Sequence, residues 1–131
     1  MSKSISESKI QLKRAYSTPS KSDGYRILVD RLWPRGVSKD ELSIHDWAKE
    51  LSPSTELRKE FHESENWKEF QKLYKEELHS AEAKKKIEEL MEIADSKKIT
   101  LVYSAKDEEH NNAQVLAELL KRKLRSKKAS H

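Results

Sequence analysis

Apolar residues along this chain fall into runs of two kinds. Ile10, Leu12 and Tyr16 mark the period of two expected of a half-exposed strand over residues 10–16. Ile27-Leu28-Val29, within a strand from Arg26 to Asp30, and Ile99-Thr100-Leu101-Val102-Tyr103 are nearly unbroken, as in strands covered on both faces. Elsewhere the spacing lengthens to three and four. Trp67, Phe70, Gln71, Tyr74 and Leu78 trace one helix face, Ala83, Ile87, Leu90, Met91 and Ala94 a second, and Ala113, Leu116, Ala117, Leu120 and Leu124 a third.

Polar residues set the boundaries. Ser38 and Glu41 are spaced as a capping box for a short helix. Ser52-Pro53-Ser54-Thr55-Glu56 predicts another helix, with Ser52 as cap and Leu57 and Phe61 on its inner face. Ser80 caps a further helix, and Asp107 caps the last, with Glu108 and Glu109 at the positive end of its dipole. Residues 43–51 fit two patterns, since Trp47 and Leu51 have helical spacing while Leu42, Ile44 and Asp46 alternate as in a strand. The loop from Ser17 to Gly24 is too short for a crossover helix, so the direction of the first strand stays open. The expected fold class is α/β: a small central, mostly parallel sheet of three to four strands flanked by helices, in one domain over residues 10–124. Residues 1–9 alternate serine with charge and read as a disordered leader, and residues 125–131 as a basic disordered tail.

Composition narrows the class. The 131 residues are 34% hydrophobic and 38% charged, enough for one core and without an apolar run near the ~18 residues of a membrane span. Cysteine is absent, which removes disulfides, thiol nucleophiles, zinc ribbons and iron–sulfur sites, and with no apolar signal core the expected compartment is the cytoplasm. The net charge of +4 comes from one place, because Lys121, Arg122, Lys123, Arg125, Lys127 and Lys128 outweigh it and leave residues 1–120 slightly acidic. Such a cluster is a solvated helix end beside the negative pole of the dipole more readily than a nucleic-acid tail.

Candidate chemistry concentrates after two strands. Asp30-Arg31-Leu32-Trp33-Pro34-Arg35-Gly36 follows the second, and Ser104-Ala105-Lys106-Asp107 through Asn112 follows the third. If those strands are parallel neighbours, both clusters leave at one sheet edge, where open α/β proteins bind ligands. Arg31, Arg35 and Lys106, with Trp33 as a wall and a helix amino terminus nearby, suit a phosphate, carboxylate or nucleotide anion. The competing reading is that the arginines pair with Asp30, Asp46 or Asp107 and pin loops. Asp107 and His110 stand one helical turn apart, a spacing open to proton sharing and equally to plain capping. The other histidines lack paired spacing, so no metal site is expected, and no cofactor is named; Ser104 is a conceivable nucleophile without a visible base. The aromatic stripe reads as core.

Three stretches carry a resemblance: Tyr25 through Gly36, Ser52 through Lys59, and Leu101 through Asp107 with Asn111. Together they resemble the YeaO-like family, a branch of a larger domain-of-unknown-function family, from about Ile10 to Leu124. The resemblance implies a small single-domain α/β protein of bacterial or archaeal type, in a family without an established biochemical activity. It also implies that Arg31, Trp33, Pro34, Arg35, Gly36, Lys106 and Asn111 belong to recurring motifs. Asn112 stands where many members carry histidine, and the larger family's cysteine–histidine turn has no thiol counterpart here. A regulator label of the MarR type fits poorly with three apolar strands. The expectation is an anion-binding protein, with or without catalysis, holding its ligand through Arg31, Arg35, Lys106, Trp33 and Asn111. The alternative is a protein or nucleic-acid interaction module built on the basic carboxyl-terminal helix.

Overall fold

A computed structural model describes residues 9–129, with side-chain surroundings given through residue 127; the expected leader, apart from residue 9, lies outside it, as do the last two residues. Four strands, β1 (Ile10–Arg14), β2 (Tyr25–Leu28), β3 (Asp46–Trp47) and β4 (Ile99–Tyr103), form a sheet in the order β1-β4-β2-β3. Every pairing is parallel, which resolves the direction of the first strand. β4 is the centre, buried at all five positions, because it pairs on both sides and is covered on both faces.

The five helices are α1 (Lys39–Leu42), α2 (Thr55–Ser64), α3 (Trp67–Glu77), α4 (Ala81–Ala94) and α5 (Asn112–Ala129). Ile27, Val29, Ile99, Leu101 and Tyr103 point to one face and pack with the inner residues of α2 to α5 in the main core. Phe61, Trp67, Phe70 and Tyr74 run through it as a chain of ring contacts with centroids 4.7–5.8 Å apart. Leu28 and Val102 point the other way, under a thinner cover from Leu42 of α1 and from Trp33, Val37, Ile44 and Trp47.

The amino-terminal half of that second face is polar. Asp23, 1% exposed, accepts from Arg26 (2.7 Å), Lys13 (3.0 and 3.1 Å), Gln11 (3.0 Å) and the Ser20 N–H (2.9 Å). Burial opposes the charge on Asp23, but the donors outweigh it and hold the carboxyl at about 2, below its ordinary 3.8. Gly24 opens β2 at φ +68°, where a Cβ would sit 2.3 Å from the Lys98 carbonyl oxygen, so glycine is required there.

Several expected boundaries move. The capping boxes of Ser38 with Glu41 and the Ser80 cap are present, but α2 is capped by Ser54 instead of Ser52, because the Ser54 N–H and hydroxyl are both held by Glu77 (2.8 and 2.6 Å). Residues 43–51 contain both expected forms in miniature, the two-residue β3 and a 3-10 turn at Lys49–Leu51. Asp107 does not cap α5. It accepts from the Glu109 and His110 N–H groups in a tight turn, and Asn111 caps the helix through the Gln114 N–H. α5 runs on through Ala129, into the stretch expected as a tail, with Lys127 paired to Asp95 at 3.0 Å.

Candidate functional site

Because β2 and β4 are parallel neighbours, the loops after both leave at one edge, as the two-cluster expectation requires. Val29 continues the ladder by donating to the Val102 carbonyl (3.1 Å), and the chain then places Asp30 beside Ser104. One Asp30 oxygen accepts from the Ser104 N–H (2.9 Å) and hydroxyl (2.6 Å). The other accepts from the Asn112 amide (3.2 Å), which also donates to the Val29 carbonyl (2.9 Å). The Trp47 indole donates to the Asp30 carbonyl (2.7 Å). A single aspartate thereby ties together the ends of β2 and β4, the side chain of β3 and the first turn of α5.

Beneath it sits Tyr74, fully buried, with its hydroxyl donating to the Leu51 carbonyl. Burial, reinforced by the negative charges of Asp30 and Glu77, pushes its ionisation far above the ordinary tyrosine range, so it is a permanent neutral donor. Ser104 and a carboxylate at 2.6 Å make half of a nucleophile pair. The other half is missing: Asn112 supplies an amide with no titratable proton, and the imidazole of His110 bonds to Asp107 (3.0 Å) and stands edge-on to Trp67 (5.0 Å). Asp107 is lowered from its ordinary range by the Glu109 N–H first, then by His110. Among the described residues no three histidine or acidic side chains converge as metal ligands.

The remaining candidates separate into structural and open groups. Trp33 is turned inward, its indole donating to the Val37 carbonyl (2.6 Å) and its ring 5.4 Å from Trp47. Asn111, 4% exposed, is occupied by its capping bond and by donating to the Asp107 carbonyl (2.9 Å). Arg31 donates through Nε to the Pro53 carbonyl (3.2 Å), toward the β3 side of the edge. Arg35 and Lys106 are exposed. The loop carrying Arg35 turns at Gly36, φ +78°, and crosses to the β1 side, where the Arg35 carbonyl accepts from the Tyr16 hydroxyl (3.2 Å).

That crossing brings in two residues not singled out in the sequence. Arg14 donates to the carbonyls of Ala105 (2.9 Å) and Ser104 (3.3 Å), and its guanidinium lies 5.1 Å from the Tyr16 ring centroid. Both follow the last apolar position of β1, and a cation two residues before an aromatic at a strand end was the available signal. Arg14, Arg31, Arg35 and Lys106 take part in no ion pair among the described residues. The arginine–carboxylate pins of the competing reading therefore do not form, and Arg14 and Arg31 bond to carbonyls instead.

Fold and edge together define a small parallel-sheet α/β protein with a hydrogen-bonded, cation-flanked carboxyl edge. A family model described as the inactive DUF488-N3 subclade matches residues 9–131, and the chain belongs to that family. It is 50% identical over 115 residues to the uncharacterized protein YeaO of Escherichia coli, covering 86% of this chain and 96% of that protein. It is 36% identical over 117 residues to the uncharacterized proteins Rv3073c of Mycobacterium tuberculosis and Mb3100c of Mycobacterium bovis, covering 88% of this chain and 97% of each. No solved structure matches. No helix among the described residues is long and apolar enough to cross a membrane.

Proposed function

We propose that this protein binds an anionic small molecule, a phosphate or carboxylate, at the carboxyl edge of the sheet and does not turn it over. The observation carrying the reading is the set of cations without ion pairs at that edge, Arg14, Arg35 and Lys106 on the β1 side and Arg31 toward β3. A cationic side chain left without a carboxylate keeps its full attraction for a ligand anion, and the edge of a parallel sheet is where α/β proteins present such ligands. The absence of turnover is supported by the Asp30–Ser104–Asn112 cluster, where both carboxylate oxygens of Asp30 are already engaged and no imidazole bonds to Ser104. The subclade's description as inactive agrees with that reading.

A thermal-shift panel of phosphate, pyrophosphate, sugar phosphates and dicarboxylates tests it. At ligand about 100-fold above Kd the stabilisation is about 2.7 kcal/mol, a rise of several degrees in melting temperature. Arg35→Ala and Lys106→Ala should each remove most of that rise. A flat response to the whole panel would sink the reading.

A second reading, a protein-interaction module on α5, is favoured by a groove of about 700 Å³ between α3, α4 and α5. Its floor includes Ile87, Met91 and Leu119, and Lys75, Lys84, Arg122 and Lys123 on its rim are suited to an acidic partner. Charge reversal at Arg122 and Lys123 would abolish partner capture on this reading and leave anion stabilisation untouched.

A further inference from the structure

We infer that the anion taken at this edge is a nucleoside phosphate, whose base stacks on Tyr16 while its phosphates meet Arg35 and Lys106; the inference rests on the anion-binding reading above. Tyr16 and Leu32 are the two exposed large hydrophobic side chains among the described residues, at 49% and 59%, and both lie at this edge. The Tyr16 ring is held at two points. One face has the Arg14 guanidinium 5.1 Å from its centroid, and that guanidinium is itself fixed by the carbonyls of Ala105 and Ser104. The hydroxyl donates to the Arg35 carbonyl. With one face toward Arg14, the hydroxyl engaged and about half the residue exposed, no second ring stacks on Tyr16 among the described residues.

A fixed aromatic ring with a free face is a stacking platform, because the ordering cost has been met before the ligand arrives. A ring that served only to tie β1 to the loop would gain by being buried, yet this one is left half open. The cations adjoin it along the chain: Arg35 is the residue whose carbonyl holds the phenol, and Lys106 follows the residue whose carbonyl holds Arg14. A ligand with a planar ring at one end and phosphates at the other matches that arrangement, whereas an inorganic anion or dicarboxylate would leave Tyr16 unused.

Calorimetric titration of the full chain with ADP, pyrophosphate and ribose 5-phosphate, at low and moderate salt, tests the inference. ADP should bind about tenfold or more tightly than either base-free compound, the range seen when one base stacks on an aromatic side chain. Tyr16→Phe should retain that preference. Tyr16→Ala should collapse it toward one, and Tyr16→Leu, which keeps bulk over Arg14, should do the same if alanine unsettles the loop. Equal affinity for ADP and pyrophosphate, or a preference that survives both Tyr16→Ala and Tyr16→Leu, overturns the stacking while anion binding stands. Failure of all three compounds to bind overturns the nucleoside phosphate, and a flat response to the dicarboxylates as well overturns the anion-binding reading with it.

Discussion

Asp23 should make this fold acid-sensitive in a defined window. Its carboxyl titrates at about 2 in the folded protein against 3.8 ordinarily, a shift of nearly two units, and each unit is worth about 1.4 kcal/mol between protonation states. The folded pKa is the lower one, so the stabilisation is fully present above the unfolded value and disappears as pH falls through the folded value. The contribution is about 2.4 kcal/mol at pH 6, roughly half of it gone by pH 3 and nearly all by pH 1. Other carboxylates also titrate there, so the useful quantity is the difference between wild type and Asp23→Asn in urea unfolding from pH 6 to 2. At pH 6 the variant should be less stable by at least that amount, because Arg26, 3% exposed, loses its carboxylate partner. The gap should then narrow by about 2 kcal/mol on acidification. A gap that stays constant over this range would refute the reasoning, since it would mean that Asp23 has the same proton affinity folded and unfolded.

Two substitutions probe the scaffold of the site. Gly24→Ala should cost about 2–4 kcal/mol in denaturant unfolding, since the added carbon would meet the Lys98 carbonyl at 2.3 Å in a left-handed backbone; a loss under ~0.5 kcal/mol would contradict the close approach. Ser104→Ala removes the 2.6 Å bond to Asp30 and should cost about 1–3 kcal/mol, and an unchanged melting temperature would show that the Asp30 tie does not hold the two strand ends together.

The parts of the fold legible in the sequence are those set by burial alone. β2 and β4 stood out because strands covered on both faces must be apolar throughout, and α3, α4 and α5 because each packs on one side. What escaped was set by contacts between distant residues. Ser52 and Ser54 are both credible caps, and it is Glu77, more than twenty residues away, that selects Ser54. Asp107 has the chemistry of a cap, yet the start of α5 is fixed by Asn112 reaching back to Val29 and Asp30, which leaves Asn111 in the capping place. β3 stayed undecided against a helix because only two residues form it, pairing with Ile27 and Leu28.

The site divides in the same way. That two polar clusters would share one edge followed from two apolar strands, and the parallel pairing of β2 with β4 supports the step. Which cations would adjoin could not be read. Arg31 and Arg35 are four residues apart, but Gly36 and the Tyr16 hydroxyl carry Arg35 toward β1, while the Pro53 carbonyl holds Arg31 toward β3. Trp33 and Asn111 had the chemistry of ligand contacts, and the fold uses both to fasten loops.

Amide chemical-shift mapping during a pyrophosphate titration reports whether the carboxyl edge of the sheet receives an anion. Binding there should give saturable shifts confined to residues 14–16, 30–36 and 104–112, with the helical groove residues Lys84, Met91 and Arg122 unmoved. Shifts centred on α4 and α5 with a silent sheet edge would contradict it.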